Sequence, residues 1–197
     1  MKKKIAIFAS GAGSNAQKLI DYFRNHAFAS VSLIVCNKPG AGVTHIAEAE
    51  GIELLLTDRL SLQSAEFPQK LLEKGIDFII LAGFLLKIPG SLIEAFPQHI
   101  INIHPALLPK YGGKGMYGHF VHEAVIAAGE KESGITIHFV DEHYDHGATI
   151  FQTTCPISAS DTPESLAQKI HFLEHQHFAP VVEQLVMNSQ SATLYNK

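Results

Sequence analysis

The chain has 197 residues, 46% of them hydrophobic, with no Trp and a formal net charge of -4. That size suits one globular domain with a sizeable core, and the acidic balance argues against a general attraction for nucleic acid. Cys36 and Cys155 form no CxxC pair, so a disulfide framework or thiolate metal centre has no support, and a reducing, cytoplasmic setting is expected.

Lys4 to Ala9 is apolar and β-prone. It predicts a first strand rather than a signal segment, because the apolar stretch is short and runs at once into a glycine turn; no later run is long enough to span a bilayer. SGAGSN, Ser10 to Asn15, is that turn, and an amphipathic helix follows it. Gly11 and Gly13 let the backbone approach a ligand, the N–H groups of the helix's first turn suit a phosphate, and Ser14 and Asn15 add side-chain donors. The string matches neither the nucleoside triphosphate loop nor a full GxGxxG, and a tight turn with Ser14 capping the helix is the plainer account.

Val31 to Asn37 predicts a second strand, THIAEAEG a helix stopped by Gly51, and IELLL a third strand. SAEFPQKLLEKG reads as a helix stopped by Gly75. Ile76 to Phe84 is a continuous apolar run of the kind shown by a strand buried on both faces. LIEAFPQHIINIH reads as a strand entering the core. Asn102 and His104 lie two apart in it, so an extended strand sends both side chains from one face, and Pro105 and Pro109 forbid its simple continuation. A hydrogen-bond donor and a titratable ring then converge at a strand's carboxyl end, the usual place for chemistry in an open α/β sheet.

GHFVHEAVIAAGE predicts a helix, and Gly134 to Val140 and Ala148 to Ile157 predict antiparallel strands. A long final helix is expected from Ser160 or Asp161 as N-cap, with Pro163 in its first turn and a kink at Pro180. The expected fold is α/β: a single domain over residues 1–197, Rossmann-like, with a mostly parallel twisted sheet, helices on both faces, an antiparallel C-terminal strand pair and a closing C-terminal helix.

Between those last two strands, Asp141, Glu142 and Asp145 crowd beside His143 and His146. Such a loop suggests a metal cage, a carboxylate that orients an imidazole, or merely a solvated hairpin. Its HxxxxHxxH spacing matches no metal-ligand signature. In the final helix His171, Glu174 and His175 share a face, where Glu174 can grip a cationic or amino group or simply make a surface ion pair.

SGAGSN, LAGFLLKIP, NIHPALLPKY and ITIHFVDEHYDHG, in this order and over nearly the whole chain, resemble the phosphoribosylglycinamide formyltransferases of the folate-dependent formyltransferase superfamily. The resemblance implies formyl transfer from 10-formyltetrahydrofolate, as co-substrate and without a metal, to the amine of glycinamide ribonucleotide in purine biosynthesis. By position it assigns Gly11, Gly13, Ser14, Asn15 and Ala16 to the phosphate side of the ribonucleotide, and His171 and Glu174 to its other parts. Leu85, Leu86, Lys87 and Ile88 match the segment that embraces the pterin, and Asp141, Glu142, His143, Tyr144 and Asp145 match the loop that closes over it. Asn102, His104 and Asp145 take the catalytic places, Asn102 also touching the folate. Leu86 stands where many relatives carry arginine, GGKGMYGH departs from the familiar loop, and Arg59 is a candidate for the folate tail.

The implied chemistry is an amine attacking a formyl carbon, with Asn102 and a charged His104 meeting the developing oxyanion, Asp145 supporting the charged ring, and no covalent enzyme intermediate. Small-molecule substrates are the expected partners, with neither nucleic acid nor membrane, in a monomer or homodimer. A transferase acting on methionyl-tRNA, a formyl-folate deformylase and an inactive nucleotide-binding module are the competing readings; the two enzymes normally carry an added domain for which 197 residues leave little room.

Overall fold

The computed structural model describes residues 2–194, with side chains to Ser189. The elements run β1 (Lys3–Ala9), α1 (Ser14–Phe23), β2 (Ala29–Cys36), α2 (Gly42–Glu50), β3 (Glu53–Leu56), α3 (Arg59–Gln63) and α4 (Glu66–Glu73). Then follow β4 (Phe78–Leu81), α5 (Gly90–Ala95), β5 (Ile100–His104), α6 (His119–Ala127), β6 (Glu132–Phe139), β7 (Thr149–Pro156) and α7 (Pro163–Leu194).

Seven strands form one open sheet in the order β3-β2-β1-β4-β5-β6-β7. β1 pairs in parallel with both β2 and β4, the parallel pairing extends to β3 and β5, and β6 and β7 join antiparallel. The expected α/β class, the mostly parallel sheet and the antiparallel pair are therefore all present. Strand order reverses at β1, which opens a crevice between the carboxyl ends of β1 and β4.

Two apolar layers cover the faces. α1 buries Ala16, Leu19, Ile20 and Phe23, a stripe at helical spacing, beside buried residues of α6 and α7 and against Ile101, Ile103, Ile135 and Ile137 of the sheet. On the other face Phe67, Leu71, Leu92 and Phe96 pack with Phe8, Val35, Ile79 and Leu81. Among the described residues, no helix is long and apolar enough to cross a membrane.

Local differences from the sequence reading have physical causes. LIEAF is not strand: Leu92 and Phe96, four apart and both buried, belong to the α5 turn, and the strand starts only at Ile100 after Gln98 takes a φ of 57°. The run Ile76 to Phe84 is strand only over Phe78–Leu81; Gly83 then turns the chain with φ 79°. α3 was unannounced, and its N-cap is Asp58, whose carboxylate accepts the Ser61 N–H at 2.7 Å. α7 is capped one residue beyond Asp161 and two beyond Ser160, the caps expected: Thr162 accepts from the Ser165 N–H while its own N–H donates to the Ser165 hydroxyl, a reciprocal cap ahead of Pro163. α7 then continues through Pro180.

Candidate active site

The crevice is held open by short polar ties. Ser10, just beyond β1 and buried, donates its hydroxyl to Asn37 Oδ1 after β2 and accepts the Leu85 N–H at 2.9 Å, so one side chain joins three strand ends. Gly13 has a φ of 85°, and a Cβ there would meet Val43 at 3.0 Å and Ile46 at 2.8 Å. A Cβ on Gly42 would meet the Ala12 carbonyl at 2.7 Å, so two glycines allow the starts of α1 and α2 to close on each other.

Ser14 is the first residue of α1 and Gly13 sits at its N-cap position without a side-chain cap, so Ser14 does not close the helix on itself. The first-turn N–H groups of Ser14, Asn15 and Ala16 point out of the helix, the arrangement that receives anions. Asn15 Nδ2 donates at 2.9 Å to Glu174 Oε2 on α7, and the same oxygen lies 2.8 Å from His171 Nδ1. Glu174 is only 5% exposed, so this is a buried joint rather than the surface ion pair. The bond to Glu174 holds His171 above the ordinary histidine value against the opposing effect of burial. Asn15 Oδ1 is buried with no partner among the described residues, an acceptor still available beside the helix start.

Asn102 and His104 leave β5 on one face, as their spacing predicts, and face Thr136 and His138 of β6, since Asn102 pairs with His138 and His104 with Thr136. Thr136 donates to the Ala106 carbonyl at 2.7 Å and accepts the Leu108 N–H at 3.0 Å, which fixes the turn after β5. His138 Nδ1 lies 2.8 Å from the Phe139 carbonyl and must donate to it, leaving Nε2 to accept from Asn102 Nδ2 at 3.0 Å. Burial pushes His138 below the ordinary histidine value, in keeping with that neutral ring.

Asp145, at a φ of 53°, carries its carboxylate back over these residues. Its Oδ2 accepts the Gly113 N–H at 2.9 Å, and its Oδ1 stands 3.6 Å from His104 Nδ1, 3.8 Å from His138 Nε2 and 3.4 Å from Asn102 Nδ2. His104 Nε2 is 2.8 Å from the Tyr111 carbonyl and can only donate to it. With Nε2 carrying a proton, a charged ring presents its second proton toward Asp145. Separations of 3.4 to 3.6 Å are too long for good hydrogen bonds, so the Asn102 amide and the His104 Nδ1 edge that point at this carboxylate are free to turn to a ligand.

Lys87 and Ile88, with Pro89, Gly90, Gln63, Glu142 and His143, line a cavity of about 500 Å³. Lys87 Nζ sits 6.0 Å above the Tyr144 ring, Leu85 and Tyr144 are exposed, and Leu86 packs against the core on the α4 and α5 side. Arg59 is exposed at the start of α3, and Gln63 is the residue of that helix that reaches the cavity wall. Sequence reading missed Gln63, Thr136 and the buried His122 of α6, whose Nδ1 has no partner among the described residues, and gave no role of their own to Ser10, which opens the first turn, or to His138, which opens the acidic loop. Of these only His138 had a visible signal, its place opposite Asn102 once two antiparallel strands are assumed.

Comparison with known proteins sets this geometry beside a family. The model of the formyl transferase family matches residues 3–182. The chain is 42% identical over 188 residues to the chloroplastic phosphoribosylglycinamide formyltransferase of Arabidopsis thaliana, covering 92% of the chain but only 64% of that relative's length. It is 38% identical over 190 residues to the phosphoribosylglycinamide formyltransferase of Bacillus subtilis, covering 93% of the chain and 95% of the relative. The crystal structure of the enzyme of that name from Bacillus halodurans superimposes with a TM-score of 0.86 at 35% identity, over 99% of this chain and all of that one.

Proposed function

This chain belongs to the formyl transferase family, and from that premise we propose that it transfers the formyl group of 10-formyltetrahydrofolate to the amine of glycinamide ribonucleotide. The observation that carries this reading is the meeting of Asn102, His104 and Asp145 at the carboxyl end of β5, together with the buried Asn15–Glu174 joint.

The ribonucleotide phosphate rests on the first-turn N–H groups of Ser14, Asn15 and Ala16, where Gly11 and Gly13 let it approach. Glu174, already accepting from Asn15 and His171, takes the glycyl amine side. The pterin lies along Leu85, Leu86, Lys87 and Ile88, and the Asp141–Asp145 loop covers it. The neutral amine attacks the formyl carbon, forming a new C–N bond while the carbonyl oxygen gains charge. Asn102 and His104 turn their free protons to that oxygen, a larger gain in the tetrahedral state than in the planar one. Collapse breaks the bond to the folate nitrogen, and the proton lost by the amine ends on that nitrogen. Holding both substrates in contact supplies much of the acceleration.

A cytoplasmic setting in purine biosynthesis, with small-molecule partners only and a monomeric or homodimeric state, completes the reading. Mixing the protein with glycinamide ribonucleotide and 10-formyltetrahydrofolate and following folate absorbance tests it. Amine-dependent turnover is expected; no turnover, or the same rate without the amine, overturns it.

A further inference from the structure

The loop after β6 brings together three donors that formyl transfer does not use as a set. Asp141 Oδ2 is 2.7 Å from His146 Nδ1, and Asp141 Oδ1 accepts the His143 backbone N–H at 2.8 Å, which fixes the carboxylate's orientation. The rings of His143 and His146 lie 5.3 Å apart, and one ligand atom from each of Asp141, His143 and His146 falls within 4.8 Å of the others. The spacing matches no metal-ligand signature because a tight turn, rather than a helix or a ligand knuckle, assembles the set.

We propose that Asp141, His143 and His146 bind a zinc ion. Two imidazole nitrogens and one carboxylate oxygen form a donor set that zinc takes, with water completing its shell. At zinc bond lengths near 2.1 Å, tetrahedral donors stand about 3.3 Å apart. Asp141 Oδ2 and His146 Nδ1, now hydrogen-bonded at 2.7 Å, part slightly to admit the ion, and His143, being exposed, reaches it by side-chain rotation. His146 has 72% of its side chain exposed, so the ion enters without opening the core. Burial raises Asp141, but its bonds from His146 and His143 outweigh that and hold it below the ordinary carboxylate value, so the ligand oxygen is charged.

The exchange balances simply. Zinc takes the lone pair of His146 Nδ1 in place of the proton shared with Asp141; that proton moves to Nε2 of a neutral ring, or leaves to solvent from a charged one. The ion sits where His143 reaches the rim of the cavity lined by Lys87 and Ile88, on ligands that flank Asp145 in the chain.

The test is calorimetric titration of the untagged full chain with zinc chloride, with imidazole proton and nitrogen signals followed in parallel. The chain has 12 histidines, so the variant decides which of them bind. One ion per chain is expected, with the signals of His143 and His146 moving together and His146→Ala losing about tenfold or more in affinity. Equal affinity in His146→Ala, zinc shifts on other histidines only, or no saturable binding below millimolar zinc overturns the proposal. Each readout is binding rather than turnover, so it stands or falls apart from the formyl-transfer reading.

Discussion

Two carboxylates organise this crevice, and they are held in opposite ways. Glu174 rises from the long helix α7, is almost wholly buried, and accepts two bonds of 2.8 and 2.9 Å from His171 and Asn15. Asp145 hangs on a loop in left-handed backbone, with one firm bond from Gly113 and three longer approaches of 3.4 to 3.8 Å from Asn102, His104 and His138. A carboxylate fixed through one oxygen by two short bonds on a rigid element makes a fixed mould for a ligand. One whose neighbours are only half engaged leaves those neighbours able to change partners during a reaction.

If that contrast is right, damage on the Asp145 side strikes the rate. His104→Ala is expected to lower kcat roughly 100- to 10,000-fold while ribonucleotide affinity by calorimetry stays near wild type; near-normal turnover would break the comparison at its centre. Damage on the Glu174 side strikes binding instead. Glu174→Gln should raise the dissociation constant for the ribonucleotide roughly 10- to 100-fold, with a smaller change in kcat, because one charged acceptor of two bonds is lost. Were kcat to fall alone, the division of labour between the two carboxylates would be reversed.

Between them stands the turn that admits the phosphate. Gly13→Ala puts a Cβ at a φ of 85° against Val43 and Ile46, and thermal unfolding should register a loss of about 1–2 kcal/mol or more from the backbone conformation alone.

Acid sharpens the contrast by sign. His138, beside Asp145, is lowered by burial, so the stability it contributes is present above the ordinary histidine value of 6.5 and is lost as pH falls through its depressed folded value. His171, beside Glu174, is raised by that carboxylate, so its contribution is full below 6.5 and is lost as pH rises through its elevated folded value. Denaturant midpoints measured on both sides of 6.5 should therefore flatten with pH in His138→Gln and fall more steeply toward acid in His171→Gln. Parallel changes in the two variants would show that the two histidines are not set by their different neighbours.

The side of Asn102 and His104 was legible because strand alternation is local: two residues apart means one face whatever the rest of the chain does. The Asn15–Glu174 joint was not, since its members stand 159 positions apart and only the packing of α1 on α7 unites them. Asp145 came from resemblance alone; nothing in DEHYDHG says which acid folds back over β5. The stretch before β5 misled because LIEAF contains apolar residues at both spacings, and burial of Leu92 and Phe96 selected the helical one. Gln63 was invisible for a plainer reason: α3 has five residues, too few to show a period.

The reversal of strand order at β1 also governs where the scaffold can grow. Its floor lies in the middle of the sheet, with β2 standing between that floor and the margin strand β3, which exposes Leu54 and Leu56 to solvent. Polar replacements or grafted segments along that margin widen the wall and leave the floor intact. The same alterations at Ser10, whose one hydroxyl pins three strand ends, would spread the fork itself.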